Sequence, residues 1–172
     1  MRWIVIAGAV LVALVLVVVL VGLALPTGHV ASRTAPLPQP PETVWATITD
    51  VRAVPEWRRR VTEVEVLPPA EGRARWRERG RDGTITFETV EADPPRRLVS
   101  RIADPGLPFG GSWTYDIAPA PGGSTITITE RGEVYNPIFR FVSRFIIGHQ
   151  ATMDAYLADL SARLGGGAVS AR

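Results

Sequence analysis

Glu130 is the residue best placed by its neighbours to do chemistry. Ile126, Ile128 and Glu130 alternate along one strand-like run, so the carboxylate continues an apolar row. Burial in such a row raises a carboxyl pKa and suits the group to general acid–base work. The plainer reading is that strand twist, or a bulge at Gly132, turns the side chain to the rim beside an arginine. Glu78 follows Trp76 in the same way on another run and carries the same two readings. His149 sits on the apolar stripe of a helical segment. It is either a ligand contact or proton shuttle, or a core histidine bonded to a backbone group or a tyrosine. Tyr115, Tyr135 and Tyr156 offer hydroxyls that point into a cavity or simply pack.

Composition removes most other chemistry. There is no cysteine, which excludes disulfides, thiolate zinc sites, iron–sulfur clusters and a cysteine nucleophile. All 19 basic residues are arginine, so neither a lysine Schiff base nor a phosphate-loop lysine is possible. Two histidines, His29 and His149, are too few for a multi-histidine metal centre, and no metal is expected. No dinucleotide fingerprint or nucleophile elbow occurs, and the reading requires no cofactor.

Periodicity supplies the elements that must position these residues. Residues 30–35 read as a short strand, 41–50 as a helix and 51–57 as a further helical turn. Six strand-like runs follow at 61–67, 73–79, 84–91, 98–103, 112–117 and 124–133. Turn signals separate them: Pro68-Pro69 with Gly72, Asp82-Gly83, Asp93-Pro94-Pro95, Pro105-Gly106 and Pro121-Gly122-Gly123. Asn136-Pro137 then opens a final helix. Its stripe of Ile138, Val142, Phe145, His149, Met153, Tyr156, Leu160 and Leu164 runs for about seven turns to a stop at Gly165. The fold class is α+β, with the long helix packed on an antiparallel sheet and a cavity between them.

Strand parity sorts the faces. Arg73, Arg75, Arg77 and Arg79 share one side of their run and must face water, which turns Trp76 inward and takes Glu78 with it. By the same count Ile85, Phe87, Leu98, Ser100, Ile102, Trp113, Tyr115 and Ile117 face in.

The order of elements resembles the START-like (SRPBCC) superfamily and its helix-grip fold. Two segments carry the likeness. Pro41-Glu-Thr-Val-Trp-Ala-Thr-Ile-Thr-Asp50 with Val54-Pro-Glu-Trp57 is similar to the opening of the polyketide cyclase/dehydrase and lipid-transport branch. Glu130-Arg-Gly-Glu-Val-Tyr-Asn-Pro137 leads into the last helix. The likeness covers roughly residues 30–164. It implies an apolar cavity shared by carriers, receptors and cyclases, with no fixed catalytic set.

Ahead of this region, residues 3–25 form a run of 23 without a charge. As a helix it spans about 34 Å, enough to cross a hydrocarbon core of about 30 Å. The competing reading is a cleaved signal sequence, since Gly22-Leu23-Ala24 fits a small-x-small site. The apolar stretch exceeds a signal's usual length, which favours a retained anchor. Arg2 before the span, and only Arg33 followed by Glu42 after it, place the domain on the extracytoplasmic side of the cell membrane as a single-pass protein. Residues 1–26 are thus the transmembrane anchor, 27–164 the helix-grip domain and 165–172 a flexible tail.

Arg58-Arg59-Arg60 and the arginine strand raise the question of nucleic acid. Between Arg52 and Arg101 twelve arginines are interleaved with nine acids, which reads as a solvated sheet exterior rather than a phosphate track. The expected partners are a membrane and an apolar small molecule or lipid, without nucleic acid. The expected ligand residues are Trp57, Trp76, Phe87, Trp113, Tyr115, Glu130, Phe145 and His149. Two alternatives stand beside this binding role. One is a cyclase, dehydratase or hydrolase using Glu130 or His149 as acid–base. The other is an interaction module whose five tryptophans and five phenylalanines fill the core.

Overall fold

The structure, a computed structural model, describes residues 2–81, 83–147 and 150–166, with the backbone alone at 146 and 147. The apolar run forms helix α1 (Arg2–Ala24), whose side chains are largely exposed. Strand β1 (Gly28–Leu37) follows, then α2 (Pro41–Thr49), a single 3-10 turn (Val51–Ala53) and α3 (Val54–Trp57). Strands β2 (Val61–Ala70), β3 (Arg73–Gly80), β4 (Gly83–Asp93), β5 (Arg97–Ile102), β6 (Phe109–Ala120) and β7 (Gly123–Val134) come next.

All seven strands form one antiparallel sheet in the order β1-β7-β6-β5-β4-β3-β2. The helices α2 and α3 carry the chain from one sheet edge to the other. Both edge strands run through prolines that the sequence reads as connectors: Pro36 in β1, and Pro68 and Pro69 in β2. An edge strand has an unpaired side on which a missing N–H costs nothing, and β2 also breaks register between Leu67 and Ala70.

The C-terminal helix is present but is not one continuous rod. Asn136 caps α4 (Pro137–Val142) by accepting from the amides of Ile138 and Phe139 at 2.9 and 3.2 Å. A π-helical turn (Ser143–Ile147) follows, and α5 (Ala151–Arg163) begins after residues 148 and 149. The two halves have different partners: α4 lies against α1, whereas α5 packs on β1 and α3. Gly165 ends α5 at φ 77°, and the Gly166 amide donates back to the Ser161 carbonyl at 2.8 Å.

The core lies where α5 and α2 cover the inner sheet face. Met153 and Leu160 meet Ala35, Ile126, Ile128 and Val44, all with no exposed surface. The expected parity holds in full at Trp76, Leu98, Ser100, Tyr115 and Ile117, which are all buried.

Among the arginines of β3, Arg73, Arg77 and Arg79 are paired on the outer face, whereas the Nε of Arg75 is buried without a hydrogen-bond partner among the described residues. Arg77 meets Glu65 at 2.9 Å, Arg79 meets Glu63 at 2.8 Å and Arg97 meets Asp116 at 2.7 Å. Arg73 (3.1 Å) and Arg101 both bond Glu88, which their stems cover almost completely. Burial works against the Glu88 charge, but these two guanidiniums more than offset it and hold the carboxyl below its ordinary value.

Candidate ligand cavity

A cavity of about 310 Å³ lies between the inner sheet face and the α2–α3 connection. One wall is Ile48, Val51 and Val54 with Arg58; the other is Val66, Ala74, Trp76, Glu78, Leu98, Ser100 and Tyr115. The C-terminal helix contributes Tyr156. The hollow is therefore enclosed mainly by the α2–α3 crossover and not, as the sequence suggests, by the long helix.

The wall is mainly apolar; besides Thr49, Arg75 and Thr89, its polar groups form one cluster. The Arg58 guanidinium donates to Glu78 Oε2 at 2.7 Å and lies 5.1 Å from the centre of the Tyr156 ring. The Trp76 indole donates to the other Glu78 oxygen at 3.1 Å. The Tyr115 and Tyr156 rings lie beside one another, centroids 5.6 Å apart, with Ser100 also on the wall. Burial works against the Arg58 charge, but the adjacent Glu78 carboxylate more than compensates, so its pKa rises and the cation is kept. Burial is also the main force on the tyrosines: Tyr115 is pushed up to about 12, and Tyr156 well above its ordinary value. Both phenols hold their protons near neutral pH. Glu78 is already engaged by two donors. The cluster can thus offer hydrogen bonds to a ligand oxygen but has no free base among the described lining residues.

Aromatic rings back this cluster. Trp57 meets Tyr156 edge-on at 5.3 Å, and Trp113 lies 5.7 Å from Tyr156 and 6.1 Å from Tyr115. Phe87 stacks on Trp76 at 5.6 Å and 22°. Of the residues expected to touch a ligand, Trp76 and Tyr115 line the cavity; Trp57, Phe87 and Trp113 form a second layer that holds them.

Three expectations need correction or fall elsewhere. Glu130 is inward-facing but lies on β7, the strand beyond β6 on the β1 side and outside the cavity lining, with its carboxylate 3.5 Å from His29 Nε2. His29 is lowered by burial and is therefore mainly neutral at pH 7. An acid–base role for Glu130 inside the cavity loses its geometric basis. Phe145 is 60% exposed and touches Phe141 at 5.0 Å, because it belongs to the segment that follows α1. His149 lies outside the described residues.

Arg58 is the residue sequence reasoning missed. Its place in an Arg58-Arg59-Arg60 run reads as solvated surface. The run is in fact divided: Arg59 turns outward and bonds the buried Asp159 at 2.6 Å, while Arg58 turns inward. The available signal was Glu78, an inward carboxylate that needed a cation.

Residues 29–165 match the family described as polyketide cyclase / dehydrase and lipid transport. Among solved structures the chain is similar to the di-domain ARO/CYC BexL at 16% identity and TM-score 0.66, over 82% of this chain and 51% of that one. It spans only about half the length of that protein. The Zhui aromatase/cyclase from a Streptomyces species is similar at 13% identity and TM-score 0.64, over 80% of this chain and 94% of that one. A START superfamily protein from Mycobacterium smegmatis gives 18% identity and TM-score 0.62, over 80% and 97%. These likenesses establish a shared START-like fold. A search of curated protein sequences found no match.

Proposed function

The chain belongs to the polyketide cyclase / dehydrase and lipid transport family, and from that premise we propose that residues 27–164 bind a small, mainly apolar molecule bearing an oxygen acceptor. The observation that carries this reading is a mainly apolar hollow in which the donors Arg58, Tyr115 and Tyr156 lie together on the wall. Its 310 Å³ falls at the lower end of the roughly 300–1,000 Å³ usual for small-molecule sites, which suits a one- or two-ring molecule or a stretch of acyl chain. A ligand burying about 300 Å² of apolar surface gains roughly 7 kcal/mol before association costs. The donors then fix its orientation. On this reading residues 1–26 also anchor the domain to the cell membrane, since α1 is long and apolar enough to cross it, with the domain on the extracytoplasmic side because Arg2 precedes the span.

The test compares 2-naphthol with naphthalene on the full chain in detergent micelles, read by quenching of tryptophan fluorescence. Both bind, and naphthol binds more tightly. Tyr115→Phe removes a donor and weakens naphthol about fivefold, the worth of one hydrogen bond, while naphthalene is unchanged. If neither probe binds, the core is filled and the reading fails.

A further inference from the structure

We infer that α4 and the π-helical turn after it are embedded in the bilayer surface beside the end of α1, so that the domain stands on a two-helix foot instead of swinging from a tether. The inference rests on α1 crossing the membrane. Its argument begins with depth. α1 is exposed along most of its length, but Gly22 is buried, and Val18, Val19, Val21 and the following Leu25 are half-buried. These residues lie on its last two turns and just beyond them, and the contact is with α4. At about 1.5 Å per residue, 23 residues exceed a hydrocarbon core of about 30 Å by only a few ångströms. Val18 is therefore below the hydrocarbon boundary when α1 spans, and whatever packs on it is at the same depth.

The contact is close and specific. Gly22 is pressed on the Pro137 carbonyl, where a Cβ would collide with that backbone. Arg140 donates to the Gly22 and Leu25 carbonyls, both at 3.1 Å, and to the Tyr135 carbonyl at 3.0 Å. The last carbonyls of a helix lack intrahelical partners, and in lipid each unsatisfied group costs several kcal/mol. Arg140 is the one charge in Pro137–Val142, and it is turned onto this backbone. The surface left outward is apolar: Phe139 is 53% exposed and Phe145 60%. Arg144, at the edge of this patch, suits lipid phosphate. Continuity with the exposed flank of α1 identifies the occupant as the bilayer rather than a second copy.

The absence of cysteine allows a clean test. Single nitroxide labels go on Val12→Cys, Phe139→Cys, Phe145→Cys and, as a water-exposed control on β4, Thr84→Cys. The full chain is reconstituted in phosphatidylcholine–phosphatidylglycerol vesicles (3:1), and collision with oxygen is compared with collision with a water-soluble nickel chelate. Sites 12, 139 and 145 are expected to favour oxygen severalfold over site 84. Gly22→Leu should pry α4 away, returning 139 and 145 toward the control while 12 stays immersed. If 12 is immersed but 139 and 145 match site 84, the foot is refuted and the anchor stands. If 12 also matches site 84, both are refuted. Spin–spin broadening at 145 that survives dilution with lipid would assign the patch to a second copy and overturn the proposal.

Discussion

Replacing Arg58 by methionine removes the cation that satisfies Glu78 while leaving an apolar stem over Tyr156. The two side chains are 19% and 11% exposed and 2.7 Å apart, so the carboxylate is left desolvated with Trp76 as its remaining donor. Breaking such a pair from one side costs about 3–5 kcal/mol, and the residual exposure puts Arg58→Met near the lower end, about 3 kcal/mol. Glu78→Gln leaves the guanidinium over the Tyr156 face, where it keeps a cation–π contact, and costs about 2 kcal/mol. The double variant holds no charge and keeps the packing, so it loses only about 1–2 kcal/mol. The coupling is therefore about 3–4 kcal/mol. Urea unfolding of the full chain in micelles measures it, with Trp57, Trp76 and Trp113 around the cluster as fluorescent reporters. Single losses that add to within about 0.5 kcal/mol would mean the pair is solvated and the cavity wet, and the reasoning would fail.

Further outcomes follow from the same geometry. Leu160→Ala, at a site with no exposed surface, should lose about 2–5 kcal/mol in the same unfolding assay. Glu88 is held below 4.5 in the folded chain, so its stabilisation is present above that value and is lost as pH falls through the folded one. Glu88→Gln should therefore flatten the stability profile below about pH 4.5, measured by urea titration across pH. Tyr115 rises from 10.0 to about 12 on folding, so its stabilisation is complete below pH 10 and is lost between 10 and 12. Absorbance at the phenolate band should show no Tyr115 ionisation before unfolding sets in, and Tyr115→Phe should flatten that alkaline limb.

Strand parity made much of the inner face legible. Four alternating arginines argue for a solvated face, and that alone placed Trp76 and Glu78 inward, although Arg75 is half-buried with its Nε covered and borders the hollow; an isoleucine pair did the same for β7. Parity does not say how far along the sheet a residue sits. Glu130 and Glu78 are both inward, yet sheet order separates them by several strands and leaves only Glu78 in the hollow. Arg58 was obscured for a different reason. It lies where α3 ends and the backbone turns extended, and there neighbouring side chains diverge without a periodic rule. His29 carried no pattern at all; cross-strand pairing with β7 brings it to Glu130.

The interrupted helix shows what periodicity measures. A stripe at steps of three and four says that one side of a segment avoids water, and it is silent on what the side meets. From Ile138 to Phe145 the stripe meets α1 or stays exposed; from Met153 to Leu164 it meets the sheet. A single straight rod could not serve both partners unless α1 lay in line with the sheet face. The π-turn Ser143–Ile147 and the bend at Gln150 divide the two halves. The exposed apolar residues then fall together in the half that follows α1, and the buried ones in the half that closes the core. One amphipathic pattern thereby joins two surroundings, and the break between them is where the domain meets its foot.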